Sequence, residues 1–548
     1  MKTSESPLPN PSLSADPEIE GILASLSLRE KIGHLLCPDA GQILDHPKGL
    51  DILQEYPVGS VFFPDWNADL IVENVPRIQD CLKIPALVAA DMEFGFAAAT
   101  AFPYAMGCAA TGNPEYAWQR GRATAREARA AGINWSFAPN VDIAMNFRNV
   151  DTSIRAWGDT ADGVLRYVLP LIRGMQEEGL LAATVKHFPG TGLDDRDQHL
   201  CTAVNPLDMD AWMESYGRVF MECFKAGVLA VMPGHIALPS FEGKSDRPAD
   251  CLPATLNERL QGELLRNQLG FEGVIISDAA SMIGFASRCP RAERAVRNLA
   301  SGGDVFLFGN PCEEAPRIEH ALDAGILEER KIDDSVRRVL RLKRAVGLLL
   351  TDRPQPPPSV DRKQEHLDLS DAIARDAITI LRNDGAVPAG RMVGDKVLTW
   401  TIRNPVTRDG EQHRTPPLTG VDEELRRHGL QVDHLDLPVG EGFFQELDKA
   451  VDAYDRVFIN LQMPMHSMIG VIRLVDRLAM CFWEGWWVGR NHIVFTSFGS
   501  PYHLYEFPHW PNMVLTYGHM PSQQKAVVQV WLGKRPATGK CPVKMPKE

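Results

Sequence analysis

Titratable side chains are concentrated in KHFPGTGLDDRDQHL, the stretch from Lys186 to Leu200. Proline and glycine in this stretch predict a loop that follows a strand. Asp197 and His199 lie two residues apart, so the carboxylate can orient the imidazole and raise its pKa, as a general acid requires. Histidine and aspartate are also metal ligands, which leaves a metal site as the alternative, although no helical H-E-x-x-H pattern or paired cysteines accompany them.

A second candidate for chemistry is Asp278, which follows a short apolar run in VIISDAASM. A carboxylate at the exit of a buried strand can act as a covalent nucleophile. Aspartate at such a position is also a common N-cap of the next helix. The local sequence leaves both interpretations open.

The elements that position these side chains alternate between short apolar runs and helical segments. The runs are PVGSVFF, IPALVAADME, INWSFAPNVD, LLAATVKHFPG, GVLAVMPGHI, GVIISDAAS and GGDVFLFGN. Such alternation predicts an α/β fold with a parallel sheet, and the length suits a (β/α)8 TIM-type barrel. Asp91, Lys186, His187, His235 and Asp278 come at or just after the ends of these runs, where a barrel enzyme builds its active site.

A proline-rich stretch, TDRPQPPPSVDRKQ, marks the strongest internal boundary. We therefore expect a disordered leader at 1–16, a catalytic barrel at 17–350, a linker at 351–364 and a second domain at 365–548. The strand-like runs KVLTWTIRN, RVFINLQ, HIVFTSFGS and NMVLTYG predict an α/β sandwich for that second domain. No phosphate loop or dinucleotide fingerprint accompanies them.

Bulk properties limit the partners. A formal net charge of −14 argues against nucleic acid and anionic membrane surfaces. No apolar run is long enough to cross a bilayer, and the polar N-terminus predicts no secretory signal. Ten cysteines without paired spacing favour a reducing compartment, so we expect a cytoplasmic protein. Oligomeric state is not predicted.

Several segments resemble glycoside hydrolase family 3, in its two-domain β-N-acetylglucosaminidase branch. KHFPGTG…DQH is similar to that branch's acid/base loop, and GFEGVIISDAASM is similar to the family's nucleophile strand. The other matching segments are LSLREKIGHLL, GRATAREARAAGINWSFAPNVDI, SIRAWGD, VMPGHIALP, PATLNERLQGELLRNQLGF and SFGSPYHLYEFP. The matches occur in the family's order along most of the chain.

The resemblance implies a role for each matching residue. Asp278 corresponds to the nucleophile, His199 to the acid/base residue and Asp197 to its partner. Substrate-binding positions are Asp91, Arg155, Lys186, His187 and His235, although a core histidine is the alternative for His235. The implied reaction releases a terminal β-linked N-acetylglucosamine through a covalent glycosyl–Asp278 intermediate, with a carbohydrate substrate and neither a metal nor an organic cofactor.

Departures from the family pattern leave alternatives to this activity open. The chain reads DMEFGFAAATAFP where the family usually has D-x-E-G-G-R-V-Q-R. It also carries Thr191 where histidine or leucine is common in the family, and Gln198 in place of serine. The missing arginines affect how the 2-acetamido group is bound. The alternatives are a phosphorylase, a β-glucosidase of the same family and a non-catalytic sugar-binding protein.

Overall fold

The computed structural model describes residues 16–244, 247, 250–349, 358–389, 394–403, 418–436, 448–463, 482 and 485–545. Their contacts divide the chain into two compact units. The first unit takes in the chain up to Ala101, Pro114–Thr152 and Thr160–Leu367, and the second takes in Phe102–Asn113, Ser153–Asp159 and the chain from Asp368. The predicted leader up to residue 15 and the linker up to residue 357 lie outside the described residues.

The first unit carries short parallel strands that we number β1 to β8. They are Leu36–Cys37, Ser60–Phe62, Leu87–Ala90, Trp135–Ser136, Thr184–Phe188, Ala230–Pro233, Val274–Ile275 and Phe306–Leu307. β1 pairs with β8, β2 with β3, β3 with β4, and β5 and β7 both pair with β6. Isolated parallel bridges join Asp39 to Phe62, Trp135 to Ala182, Asn140 to Lys186 and Ile276 to Val305. The predicted α/β class is confirmed.

Helices separate these strands, as the alternation predicted. The α-helices of the first unit are Pro17–Ser25, Leu28–Gly33, Ala40–Leu44, Ile52–Glu55, Ala68–Asp80, Pro114–Ala130, Ala161–Gln176, Met209–Trp212, Arg218–Lys225, Pro239–Glu242, Ile283–Ala286, Arg294–Ala300, Pro311–Asp323 and Glu329–Ala345. Met213–Gly217 and Arg259–Gln268 are π-helical. Glycine lets two neighbouring helices approach closely, because a Cβ on Gly121 would lie 2.6 Å from the carbonyl oxygen of Leu171. Among the described residues, no helix combines the length and apolar character that crossing a bilayer requires.

One apolar cluster draws side chains from β1 to β8 or from residues within two positions of them. Its strand-derived members are Cys37, Phe62, Leu87, Ala89, Trp135, Ala182, Ala230, Met232, Val274, Ile276, Val305 and Leu307. Strands buried on both faces read as continuous apolar runs, which explains why the sequence shows such runs rather than alternation. Polar residues begin where these runs end, so the candidate site lies at the carboxyl ends of the strands.

The second unit contains a six-stranded sheet. Its strands, β9 to β14, are Thr379–Asn383, Lys396–Arg403, Gln431–Asp436, Arg456–Gln462, Ile493–Ser497 and Asn512–Leu515, in the order β9-β14-β13-β12-β10-β11. Only the β9–β14 ladder is antiparallel among these pairs. The helices of this unit are Ala105–Ala110, Thr419–Arg427, His503–Glu506 and Pro521–Trp531, while Gln364–Ala377 spans the division between the units. Phe458 stacks on Trp531 with ring centroids 4.1 Å apart.

Candidate active site

Asp278 lies at the exit of β7 and is buried, with only 12% of its side chain exposed. Its Oδ1 accepts a hydrogen bond from the Ala279 N–H at 2.7 Å, whereas Oδ2 accepts none. The next helix begins at Ile283 with Met282 as its N-cap, so Asp278 does not cap it. This geometry removes the capping interpretation and leaves one carboxylate oxygen available for chemistry.

The surroundings of Asp278 keep its carboxyl group ionised. Burial alone would raise its pKa, but His235, His187 and Lys186 together with the Ala279 N–H bring the pKa of Asp278 below its ordinary value. Burial also lowers the pKa of His235, so that ring is neutral at neutral pH. With His235 neutral, Lys186, whose Nζ pairs with Glu93 and Asp91, still supplies positive charge that favours the Asp278 carboxylate.

His187 is aimed at Asp278 by a second carboxylate, Asp142. The fully buried Asp142 accepts a hydrogen bond from His187 Nδ1 through Oδ2 at 2.7 Å. Its Oδ1 accepts the Thr191 N–H at 2.9 Å. The other ring nitrogen, His187 Nε2, lies 3.9 Å from Asp278 Oδ2. That distance is longer than a direct hydrogen bond, so a substrate hydroxyl near the nucleophile can interact with both His187 Nε2 and Asp278 Oδ2.

Lys186 is held by two acidic residues from the end of β3. Its Nζ lies 2.8 Å from Glu93 Oε1 and 3.3 Å from Asp91 Oδ1. Only 5% of the Lys186 side chain is exposed, but half of Asp91 is. Asp91 is therefore the most exposed member of this group, and its contact with Lys186 orients it.

Asp65 adds another carboxyl group beside Asp91, at the exit of β2. It is buried, and its Oδ2 accepts the Met92 N–H at 3.2 Å. Burial, and next the charge of Asp91, raise the pKa of Asp65 to about 7. A carboxyl group that keeps its proton near neutrality can donate as well as accept a hydrogen bond.

His199 forms the predicted pair with Asp197. Its Nδ1 donates to Asp197 Oδ1 at 2.7 Å, and the same oxygen accepts the His199 backbone N–H at 2.8 Å. A third residue, Asp151, places its Oδ1 3.3 Å from the same Nδ1. Burial alone would lower the pKa of His199, but Asp151 and Asp197 raise it to about 9. The imidazole is therefore protonated at neutral pH, as a proton donor must be.

The loop that carries this pair is attached to the nucleophile's segment. The His199 carbonyl accepts the Ile283 N–H at 2.9 Å. A Cβ on Gly284 would lie 2.7 Å from the Cys201 carbonyl oxygen, so the glycine permits close backbone packing there. Gln198 is fully buried and accepts the His235 N–H at 2.9 Å. This residue, which departs from the family pattern, therefore supports the fold of the loop.

The predicted binding residues also include His235 and Arg155. His235 is fully buried, and its Nδ1 and Nε2 lie 3.0 Å from Thr255 Oγ1 and the Ala279 carbonyl oxygen, respectively. Both ring nitrogens are thus engaged by the protein, which favours the core-histidine alternative. Arg155 ends the 3-10 turn Ser153–Arg155 in the second unit, and its contact with substrate stays a prediction.

The sequence left a metal site as an alternative for the acid/base loop. In the part of the chain that the structure describes, Asp151, Asp197 and His199 place ligand-type atoms within 4.8 Å of one another. The 2.7 Å separation of His199 Nδ1 and Asp197 Oδ1 fits a hydrogen bond. The same Asp197 oxygen also accepts the His199 backbone N–H at 2.8 Å, and this use of the oxygen by the loop's own N–H groups favours an acid/base group over a metal centre.

Asp142, Asp151, Glu93 and Asp65 belong to this group of residues but were not predicted as site residues. Asp142 ends the segment GINWSFAPNVD, and its position in that motif was a usable signal. Glu93 and Asp65 follow apolar runs, as the predicted residues do. Asp151 follows no such run, and only its position in space reveals its connection with His199.

Comparisons with known proteins identify the family of this chain. The family described as "Glycosyl hydrolase family 3 N terminal domain" matches residues 27–342. A "Beta-N-acetylglucosaminidase/beta-glucosidase" of Cellulomonas fimi is 32% identical over 536 residues, which cover 95% of this chain and 94% of that protein. The chain belongs to glycosyl hydrolase family 3.

Solved structures show the same two-unit α/β architecture. A β-glucoside phosphorylase is 27% identical, with a TM-score of 0.84 and coverage of 96% of both chains. A family 3 β-N-acetylglucosaminidase from Paenibacillus sp. str. FPU-7 is 24% identical, with a TM-score of 0.81 and coverage of 95% of this chain and 99% of that one. The latter similarity supports the fold alone.

Proposed function

We propose that this protein is a retaining β-N-acetylhexosaminidase that releases a terminal β-linked N-acetylglucosamine. The observation that carries the proposal is the presence of two groups of opposite charge. Asp278 is buried and ionised and has one oxygen without a hydrogen bond, and His199 is protonated and held by carboxylates. Retaining glycosidases need these two groups, a nucleophile and a proton donor. The name of the Cellulomonas fimi relative supports N-acetylglucosamine as the sugar.

In the first step, Asp278 Oδ2 attacks the anomeric carbon and forms a glycosyl ester. The bond from that carbon to the leaving oxygen breaks, and His199 gives its Nε2 proton to the leaving oxygen. Nδ1 cannot serve because it faces Asp197. His199 leaves this step as a neutral imidazole.

In the second step, the neutral His199 removes a proton from water as the water oxygen attacks the anomeric carbon. The ester bond to Asp278 breaks, which restores the carboxylate and the imidazolium. Two inversions at the same carbon give net retention. No metal or organic cofactor takes part in these steps.

Sugar hydroxyls are held by Asp91, Lys186 and His187 in this proposal. Asp91 is half-exposed beside the buried Lys186, and His187 Nε2 lies near the nucleophile. The role of Arg155 in binding substrate stays a prediction. His235 acts by supporting the Ala279 carbonyl beside the nucleophile rather than by touching the sugar.

We also propose that β1 to β8 close into a (β/α)8 barrel. The parallel ladders, the four isolated bridges between them and the shared apolar cluster support this closure. The predicted domain bounds, 17–350 for the barrel and 365–548 for an α/β sandwich, remain part of this proposal. A barrel explains why residues far apart in sequence meet at one end of the strands.

Phosphorolysis is the second candidate, because the β-glucoside phosphorylase matches 96% of this chain. Inorganic phosphate would then replace water in the second step and release a sugar 1-phosphate. A neutral histidine does not repel this anion as a carboxylate would. A β-glucosidase activity is a further alternative, since the name of the Cellulomonas fimi relative includes it.

One set of assays separates these candidates. Nitrophenyl β-glycosides of N-acetylglucosamine, N-acetylgalactosamine, glucose and xylose are compared with and without inorganic phosphate. We expect the N-acetylglucosaminide to have the highest kcat/KM, with free sugar as the product in both conditions. Sugar 1-phosphate as the main product would favour the phosphorylase instead.

The nucleophile is tested by substitution and by trapping. Asp278→Asn should lower turnover by several orders of magnitude, since the covalent step is lost. Asp323→Asn, an exposed carboxylate at a helix end, is the matched control and should keep wild-type activity. A fluorinated glycoside should label Asp278 in peptide mass spectra, and labelling of another residue would refute the assignment.

A further inference from the structure

We infer that Asp151 is a positioning residue for proton transfer, because with Asp197 it holds the His199 imidazole in its charged, oriented form. This inference rests on the proposed function, in which His199 carries the proton. It adds a third member to a pair that the sequence pattern describes as Asp197 and His199 alone.

The contact geometry supports a direct effect on the ring. Asp151 Oδ1 lies 3.3 Å from His199 Nδ1, on the same ring edge as Asp197 Oδ1 at 2.7 Å. Asp151 Oδ2 accepts the Gln198 backbone N–H at 3.3 Å. The two oxygens of the Asp151 carboxylate thus contact the His199 imidazole and the backbone of the loop that carries His199, respectively.

The segment that carries Asp151 is fixed to the acid/base loop. Asn149 Nδ2 donates to Thr191 Oγ1 at 3.2 Å and to the Asp194 carbonyl oxygen at 2.8 Å. Asn149 Oδ1 accepts the Thr152 N–H at 2.8 Å. Asn149 therefore connects the residues on either side of Asp151 to the loop, and the distance from Asp151 to His199 is maintained.

Burial makes the charge of Asp151 effective. Its side chain is fully buried, and that of Asp197 is 7% exposed, whereas 23% of His199 is exposed. Two buried carboxylates this close repel each other unless a cation lies between them. The imidazolium supplies that cation, so the two carboxylates favour the protonated ring more strongly than one would.

Other titratable groups near the ring do not supply this effect. Arg196 and Cys201 lie on the same loop, and His235 approaches from the end of β6. Burial raises the pKa of Cys201 and lowers the pKa of His235, so both are uncharged at neutral pH. Arg196 pairs with Asp194 at 2.9 Å. The two carboxylates are thus the groups that set the charge of His199.

Asp151→Asn tests the inference because it keeps the shape and removes the charge. The matched control is Asp194→Asn, a carboxylate of the same loop that accepts the Val204 N–H at 2.8 Å. The rate is measured against pH on an alkyl glycoside, which needs protonation of its leaving group. The titration of His199 is measured in the same proteins by NMR of labelled histidine.

We expect Asp151→Asn to move the alkaline limb of kcat/KM down by about one to two pH units, as expected for losing one of two nearby charges. The NMR titration of His199 should move by the same amount, and Asp194→Asn should move neither. On a dinitrophenyl glycoside, which leaves without protonation, the variant should keep most of its rate. An unchanged His199 titration in Asp151→Asn would overturn the inference.

Two further outcomes identify other failures. A shifted titration in a protein that cleaves no glycoside would support the contact of Asp151 with His199 but reject the proposed function. Activity that is lost with a chelator and restored by a divalent cation would show that the carboxylates bind metal, and would overturn the inference.

Discussion

Replacing Asp142 with asparagine tests whether the orientation of the His187 ring contributes to activity, because the histidine itself is retained. Asp142 Oδ1 accepts the backbone N–H of Thr191 at 2.9 Å, and an asparagine oxygen can keep that bond. Oδ2 accepts the His187 Nδ1 proton at 2.7 Å, and an asparagine NH2 there would present a second donor. The Nδ1 proton of His187 then loses its acceptor, and the contact that orients Nε2 toward Asp278 is removed.

The size of the effect follows from the bond that is lost. A hydrogen bond to a charged, buried group contributes about 1.5 to 3 kcal/mol. We therefore expect kcat/KM for Asp142→Asn to fall between about tenfold and about 150-fold, at roughly 1.4 kcal/mol per factor of ten. Part of the loss is expected in the chemical step, because His187 Nε2 lies 3.9 Å from the nucleophile's Oδ2 and its orientation is disturbed.

A double-mutant cycle with His187→Ala is the assay. If Asp142 acts through His187, Asp142→Asn should have little further effect on kcat/KM in the His187→Ala protein. The melting temperature of each variant shows whether the fold is retained. Equal losses from Asp142→Asn in both backgrounds would refute the orientation argument and assign Asp142 a purely structural role.

Further predictions concern proton transfer and buried charge. His199→Ala should keep much of its cleavage rate on a dinitrophenyl glycoside but lose it on an alkyl glycoside. Azide should restore turnover of this variant and give a β-glycosyl azide as the product. A uniform loss of rate on both substrates, without rescue by azide, would make His199 a binding residue. Wild-type kcat/KM should fall above about pH 9, as His199 loses its proton, and a limb near pH 6.5 would contradict the carboxylate contacts. Burial lowers the pKa of Lys343 to about 7, so the folded state loses this proton before the unfolded chain does. Stability should therefore rise with pH above about 7, and the gain in melting temperature from Lys343→Met should be larger at pH 6.5 than at pH 9.5; an equal gain at both would contradict a shifted lysine.

Local sequence predicted the α/β class and several positions of the candidate site. Apolar runs followed by Asp91, Lys186 and Asp278 indicated strands with polar exits, because buried parallel strands lack alternation and their carboxyl ends carry the chemistry. The close spacing of Asp197 and His199 also predicted their hydrogen bond. These inferences depend on neighbours in the chain, which a sequence displays directly.

Other assignments stayed open in the sequence because they depend on burial. Asp278 fitted a nucleophile or a helix cap until the structure placed the next N-cap at Met282. His235 fitted a ligand or a core residue until both of its ring nitrogens proved to face protein atoms. The local sequence is the same whichever role the residue has, and only the surrounding atoms in the folded protein distinguish the two roles.

The amino-acid sequence specifies which residue types stand at the strand ends and in which order they occur. Which carboxylate contacts which imidazole depends on the fold: Asp142 contacts His187, and Asp151 contacts His199. These partners are distant in the chain, and no local periodicity relates them. Charge state depends on distance through space and on exclusion of water, so the proton on His199 is a property of the folded protein.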